Sequence, residues 1–312
     1  MQWISQFGGA RSRGNVVLLV TAIIWGSSFV AQRAGMAHMG PFAYNGLRCF
    51  LGAAVLLPVL WMLHGRRVRA GEAASDKRAL WRGGALCGVV LFCASSFQQM
   101  GIVYETSGKA GFITALYILI VPLLAWLGGR RPPRRMALCV GLGLAGLYLL
   151  CATEGAGSLG VGDWLLLASA FCFAVHILVV ARVAPRVNGI ALAALQFTVC
   201  GVLSLPVMFL LEDPSWGALR AAAIPFLYSG VMACGAGYTL QIIGQRDTDP
   251  TVASLIMCLE SVFAVFFGWL ILSETVTPRE LFGCGLMFIA TVLAQLPIPG
   301  RRSGEVKRPA RP

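Results

Sequence analysis

The sequence predicts an all-α integral membrane protein with ten transmembrane helices, arranged as two inverted five-helix repeats. Three observations lead to this prediction: the apolar composition, the distribution of basic residues and an internal repeat. Of the 312 residues, 57% are hydrophobic and 12% are charged, whereas soluble domains are about 25% charged. A membrane-spanning helix needs about 20 mainly apolar residues, and the chain contains ten stretches of this kind.

The ten predicted spans follow one another with short connections and no intervening soluble domain. They cover residues 15–33, 41–63, 80–102, 109–127, 136–151, 163–182, 190–211, 223–244, 250–272 and 278–296. We therefore expect a first five-helix repeat at 15–152, a second at 160–297, and a basic cytoplasmic tail at 298–312.

The basic residues predict the orientation. With the N-terminus placed in the cytoplasm, 20 of the 25 Lys and Arg residues fall on the cytoplasmic side, and four fall on the other side. Loops rich in Lys and Arg stay in the cytoplasm, so both termini are expected there. This distribution accounts for the net charge of +12, and no nucleic-acid partner is expected.

The internal repeat relates the two halves of the chain at an offset of about 142 to 148 residues. The matched positions include Trp25 with Phe173, Arg48 with Gln196, Gln99 with Gln241, Trp126 with Trp269, and Gly141 with Gly285. Because each half contains an odd number of spans, the halves would enter the membrane from opposite sides. Inverted repeats of this kind are typical of secondary transporters.

Two fully charged side chains lie clearly within the predicted spans, Arg48 and Glu260. At 1.5 Å per residue, Arg48 lies about 10 Å from the start of its span and Glu260 about 15 Å from the start of its own. Ionisable groups at this depth usually face a cavity or a partner. Glu260 is therefore either a proton-coupling or gating carboxylate, or a static partner for Arg48 or for helix-end donors, and the sequence leaves both readings open.

Other polar side chains complete the candidate site. His176 follows Cys172 by one helical turn, but two ligands do not make a metal site, and a hydrogen-bonded packing role is favoured. Amides and aromatic rings within spans can bind a zwitterion or a planar metabolite, or bridge neighbouring helices. The substrate-binding or coupling hypothesis comprises Glu260, Arg48, Gln99, Gln241, His176, Tyr117, Trp25 and Gln196. No catalytic residue, metal site or cofactor is expected.

Several segments resemble a known family. The run LESVFAVFFGWLILSE at 259–274, followed by TVTPRELFGCGLMFIA, is similar to the closing part of EamA-type permeases of the drug/metabolite transporter superfamily. IIWGSSFV at 23–30, GLRCFLGAAVLLP at 46–58 and KAGFITALYILIVPLLAW at 109–126 agree with this resemblance. It implies ten helices around a central cavity, with the fifth and tenth as outer supports. The family often has Pro after the ninth-span Glu, where this chain has Ser261.

The resemblance implies a multi-pass permease of a bacterial plasma (inner) membrane. Such a permease exports or exchanges small metabolites, such as amino acids or drug-like compounds, by alternating access. The expected partners are a small-molecule substrate, the lipid bilayer, and a coupled proton or counter-solute, and a homodimer is compatible with the sequence. No nucleotide-binding loop is present to supply energy. A passive channel or facilitator is the alternative. A membrane-embedded enzyme is less favoured, because the charged and titratable groups of the spans lie in different helices.

Overall fold

The computed structural model describes residues 10–69, 76–105, 107–129, 134–151, 160–246, 248–272 and 277–295, and the predicted tail at 298–312 lies outside these ranges. Every regular element within them is helical. Besides the α-helices, there is a π-helical segment at Ser229–Tyr238 and a short 3₁₀ turn at Ala184–Arg186. The α-helices are α1 (Ala10–Met36), α2 (Pro41–Arg69), α3 (Lys77–Tyr104), α4 (Ser107–Ala115), α5 (Tyr117–Leu127), α6 (Arg134–Cys151), α7 (Val161–Val183), α8 (Gly189–Leu211), α9 (Trp216–Ala221), α10 (Ala223–Tyr228), α11 (Thr239–Gln245), α12 (Pro250–Met257), α13 (Glu260–Leu272) and α14 (Pro278–Gln295).

Eight helical segments among the described residues are long and apolar enough to cross a membrane. They coincide with the predicted spans one to four and six to nine. The predicted fifth and tenth spans form α6 and α14, whose apolar helical stretches, Ala137–Gly146 and Leu281–Ala290, are shorter than the other eight. The fold is thus an all-helical membrane protein with eight candidate spans and two shorter apolar helices.

Two of the eight spans are broken at equivalent places in the two halves. The fourth span divides into α4 and α5 at Leu116, and the ninth divides into α12 and α13 at Cys258 and Leu259. The first residues after the breaks, Tyr117 and Glu260, are separated by 143 residues, which falls within the offset of the internal repeat. The two breaks therefore follow the repeat.

The ninth-span break forms without a proline. The amide of Leu259 donates to the Ile256 carbonyl at 3.2 Å, and the amide of Ser261 donates to the Cys258 carbonyl at 3.2 Å. The Ser261 hydroxyl donates to the same Cys258 oxygen at 2.6 Å. Tight 3₁₀ bonds and hydroxyl back-bonding thus satisfy the backbone groups that a broken helix frees in an apolar setting. Ser261 thus helps to close the break at the position where the family resemblance implies Pro.

The helices pack in pairs that join the two halves. α3 lies along α7, α2 lies along α8, and α1 lies against α13 and the π-helical segment. α6 and α14 pack mainly against each other, and neither contributes to the central cavity described below. This placement agrees with the peripheral role that the family resemblance implies for the fifth and tenth helices.

Gly26 allows α1 to approach the broken ninth span. A Cβ atom at this position would lie 2.7 Å from the Glu260 carbonyl oxygen and 2.9 Å from the Ala264 nitrogen, and it would also overlap Phe263. Two of these neighbours are backbone atoms, which cannot rotate away. Glycine at position 26 therefore sets the separation between α1 and the start of α13.

Replacing Gly26 by alanine is expected to destabilise the protein by about 1–3 kcal/mol, the usual cost of overpacking a well-packed interior. Thermal unfolding of the purified protein in detergent measures the change. Gly285→Ala is the matched control, because a Cβ atom there has no neighbour within 4 Å. Equal unfolding temperatures for the two variants would contradict the close approach at Gly26.

Candidate functional site

A small cavity lies between the two halves of the chain. Its volume is about 40 Å³, which holds a few water molecules and is far below the roughly 300–1,000 Å³ of pockets for drug-sized ligands. The lining comes from α1, α2, α3, the broken fourth span, α7, the eighth span and the start of α13. The lining residues are Trp25, Ser28, Phe29, Gln32, Arg48, Gln98, Thr114, Tyr117, Phe173, Ile177, Ala233, Cys234, Tyr238, Gln241 and Glu260.

Glu260 reaches the cavity at the break of the ninth span. Its side chain is buried, and Oε1 accepts a hydrogen bond from the Tyr117 hydroxyl at 3.0 Å. Both residues begin a half-helix, Tyr117 that of α5 and Glu260 that of α13. The fold thus places the carboxyl group at the start of one half-helix and joins it by a hydrogen bond to the first residue of another.

Arg48 lies in α2 and reaches the cavity through a network of neutral acceptors. Its Nη1 donates to Gln32 Oε1 at 2.6 Å, and its Nε and Nη2 donate to Asn45 Oδ1 at 3.3 and 3.1 Å. The guanidinium carbon lies 5.6 Å from the centre of the Tyr44 ring. Among the described residues, no carboxylate forms an ion pair with Arg48, so its charge is hydrogen-bonded but not neutralised.

Gln32 is the shared acceptor of this network. Its Oε1 also accepts a hydrogen bond from Gln99 Nε2, and its own amide nitrogen donates to Ser28 Oγ at 3.3 Å. Gln32 thereby connects α1, α2 and α3. The side-chain oxygen of Gln99, Oε1, has no hydrogen-bond partner among the described residues.

Aromatic rings form one wall of the cavity. Trp25 and Tyr238 contact each other with ring centroids 4.7 Å apart, and Trp25 Nε1 donates to the Ala233 carbonyl at 3.3 Å. Ala233 and Tyr238 belong to the π-helical segment, a distortion frequently found at functional sites. A Cβ atom at Gly237 would lie 2.7 Å from Trp25 Nε1, so the small residue there allows the indole to lie against this segment.

A second polar group lies beside this wall. His176 Nε2 and Gln196 Oε1 are 3.0 Å apart, and the His176 ring meets Tyr238 edge-on at 6.0 Å. His176 Nδ1, Gln196 Nε2 and Gln241 Oε1 are buried without a hydrogen-bond partner among the described residues. Gln196 is the position that the repeat matches to Arg48. Most polar atoms of the Arg48 network have hydrogen-bond partners, whereas this second group leaves several without one among the described residues.

The comparisons with known proteins agree with this architecture. The profile of the EamA-like transporter family matches residues 12–152 and 160–296. The chain belongs to the EamA-like transporter family. An uncharacterized transporter of Archaeoglobus fulgidus is 28% identical over 95% of this chain and 91% of its own length, and the inner membrane transporter YedA of Escherichia coli strain K12 is 25% identical over 89% of each chain.

Two further comparisons extend the relationship. A chloroplastic WAT1-related protein of Arabidopsis thaliana is 26% identical over 90% of this chain and 69% of its own length. A solved crystal structure at 19% identity superposes with a TM-score of 0.74, covering 91% of this chain and 96% of the other. The fold is therefore shared with a solved structure, and this EamA-like chain is a membrane transporter.

Five of the eight candidate residues line the cavity of this EamA-like transporter: Glu260, Arg48, Gln241, Tyr117 and Trp25. Gln99 lies one hydrogen bond away, through Gln32. His176 and Gln196 are not among the lining residues and contact each other instead. Glu260 and Arg48 do not form the ion pair that was one reading of the sequence.

Sequence reasoning missed Gln32 and Asn45, the two acceptors that hold Arg48. Asn45 precedes Arg48 by three residues, a spacing that places both side chains on one helical face, so a signal was available. Gln32 lies beside Arg33 at the predicted end of its span, where a polar residue is expected to meet the membrane surface. The structure continues α1 to Met36 and buries Gln32.

Gln32→Leu is expected to destabilise the transporter by about 1.5–3 kcal/mol, because it removes an acceptor from a buried charged donor. Thermal unfolding in detergent measures the change. Gln98→Leu is the control, since the one hydrogen bond that Gln98 donates among the described residues goes to the neutral Thr114 hydroxyl at 3.4 Å. This variant should lose about 0.5–1.5 kcal/mol. A loss at Gln32 no greater than that at Gln98 would rule out its role as the acceptor for Arg48.

Proposed function

We propose that this EamA-like protein is a secondary-active transporter that exports or exchanges small metabolites by alternating access. The observation that carries the proposal is the buried Glu260 carboxyl group, which reaches the cavity at a break between two half-helices and has Tyr117 as its hydrogen-bond partner. Discontinuous helices near the centre of a repeat fold are the usual location of substrate and coupling-ion sites in transporters.

Glu260 is proposed as the coupling group. A carboxyl group in an apolar interior is costly to keep ionised without a cation, and Arg48 does not pair with it. Protonation from one side and release to the other would therefore accompany the change of conformation. The phenol of Tyr117 stabilises the ionised form by donating to Oε1, and solute binding can compete with that hydrogen bond.

Arg48 is proposed to attract a carboxylate or another anionic group of the solute. Its hydrogen bonds go to neutral amides, so its positive charge stays available to the cavity. Because Glu260 and the rings of Trp25 and Tyr238 also line the cavity, the lining suits a zwitterionic or planar metabolite, such as an amino acid. Gln241 Oε1, a buried acceptor without a partner among the described residues, would accept a hydrogen bond from the solute.

The proposed arrangement in the membrane follows the sequence. The eight candidate spans, together with α6 and α14, would make ten transmembrane helices in two inverted repeats, with both termini in the cytoplasm. The plasma membrane is the proposed location, and a homodimer is compatible with the peripheral helix pair. The volume of about 40 Å³ supports assignment of the structure to a closed conformation that must widen before a metabolite enters.

Glu260→Gln is expected to reduce gradient-driven solute accumulation in proteoliposomes to the level of protein-free liposomes, while exchange of solute across the membrane persists. The reason is that glutamine keeps the shape of the side chain but cannot carry a proton. The solute is chosen by a thermal-shift screen of amino acids, nucleobases, sugars and polyamines, because a ligand of the folded state raises its stability.

Tyr117→Phe is the matched control for this variant, since it removes the hydrogen bond to Glu260 and leaves the carboxyl group. It should retain gradient-driven accumulation at an altered rate. Accumulation by Glu260→Gln at the level of the unchanged protein would refute proton coupling at this residue. Flux without saturation or trans-stimulation would favour a passive channel.

Arg48→Gln is expected to raise the half-saturation concentration of a carboxylate-bearing solute about 10- to 100-fold, the loss of one hydrogen bond to a charged group. The same variant should leave the half-saturation concentration of the corresponding amide nearly unchanged. Initial rates of uptake into proteoliposomes measure both. An equal increase in the half-saturation concentrations of the acid and the amide would mean that Arg48 supports the fold and does not bind the charged group of the solute.

A further inference from the structure

The helices α2 and α8 cross as an antiparallel pair at equivalent places in the two repeats. Nine residues into α2 and midway along α8, the Cys49 and Cys200 sulfurs are 3.5 Å apart, and a Cβ atom at Gly46 would contact Ser204. Asn45 also reaches Cys200, with Nδ2 and Sγ 3.7 Å apart. The first third of α2 is therefore packed closely against the second half of α8.

At the end where α2 begins, a carboxylate from the other repeat holds the pair together. Glu212 follows directly after α8, and its Oε1 accepts from the Phe42 amide at 2.8 Å while its Oε2 accepts from the Ala43 amide at 2.8 Å. The first amides of a helix have no partner within the helix and carry partial positive charge. Glu212 thus supplies an anionic cap to a helix that is distant in sequence.

The surroundings are built to accept this carboxylate. A Cβ atom at Gly40 would overlap the Glu212 carboxyl group. Glycine at position 40 therefore leaves room for this carboxyl group. One turn further along α2, the Tyr44 hydroxyl lies 2.6 Å from Ser229 Oγ and donates to the Pro225 carbonyl at 3.1 Å. Apolar side chains close this end around them: Met39, Phe42, Ala43, Met208 and Ala222.

The opposite end of the pair is arranged differently. The first turn of α8 is capped by its own Asn188, whose Oδ1 accepts from the Ile190 amide at 2.9 Å and from the Ala191 amide at 3.3 Å. In inverted-repeat transporters, one repeat rocks against the other around a fixed site. Such a movement would have to break the cap at the start of α2, which joins the two repeats, but not the cap of α8, which lies within one repeat.

We propose that the Glu212 carboxylate and the amides of Phe42 and Ala43 form a latch that holds the bundle closed at the end where α2 begins. Alternation opens this end only after Glu212 leaves the start of α2. The inference rests on the alternating-access function proposed above. In the predicted orientation, the latched end is the extracellular one.

The test uses the native thiol of Cys234, which lines the cavity and is buried. The full chain is purified in detergent, so that N-ethylmaleimide can approach from either end, and alkylation at each cysteine is followed by peptide mass spectrometry. In the Glu212→Gln variant, N-ethylmaleimide is expected to alkylate Cys234 at least about fivefold faster. This is the increase in the open population that the loss of a charged helix cap should cause. Asp213→Asn, which removes the same charge from the exposed neighbour, should match the unchanged protein.

A second variant and an internal reference protect the interpretation. Gly40→Ala keeps Glu212 but displaces its carboxyl group, and should also accelerate alkylation of Cys234. Cys87 is buried outside the cavity lining and should stay protected throughout. An unchanged rate at Cys234 in Glu212→Gln, or an equal rise at Cys87, would overturn the latch. Alkylation needs no solute, so the latch can fail while Glu260-dependent transport stands, and the reverse outcome is equally visible.

Discussion

The guanidinium of Arg48 is buried in an apolar interior, and this constraint organises the polar half of the cavity. An unpartnered charge in such a place costs several kcal/mol. The protein meets it with the amide oxygens of Gln32 and Asn45 and the face of the Tyr44 ring. Because these groups are neutral, they stabilise the guanidinium without cancelling its positive charge. A nearby carboxylate would have stabilised the guanidinium too, but would have cancelled that charge.

Glu260 meets the same constraint in another way. It begins α13 directly after the break in the ninth span, and its carboxyl group accepts a hydrogen bond from the Tyr117 hydroxyl. Ser261 satisfies the carbonyl that the break frees, and Gly26 lets α1 close over the junction. The two ionisable groups are therefore held by separate parts of the fold, and both remain directed toward one small cavity.

The repeat explains how these parts are related. Equivalent breaks precede Tyr117 and Glu260, and α2 pairs with α8 across the two halves. The polar groups have nevertheless diverged, because Arg48 corresponds to Gln196 and the cap of α2 comes from Glu212 while that of α8 comes from Asn188. Divergence within a symmetric frame thus gives the two ends of the α2 and α8 pair different caps, one that joins the repeats and one that lies within a single repeat.

The amino-acid sequence by itself determined the membrane class, the positions of the eight candidate spans, the repeat and the presence of Arg48 and Glu260 within spans, since hydropathy, charge distribution and buried charge are local properties of the chain. The sequence also indicated Tyr117, Trp25 and Gln241, which line the cavity. Only the tertiary structure decided that Gln32 holds Arg48, that His176 contacts Gln196 and is not among the lining residues, and that Glu212 caps α2. These contacts join residues distant in sequence or at the apparent edge of a span. Their partners are chosen by the packing of helices against one another, which hydropathy and spacing do not encode.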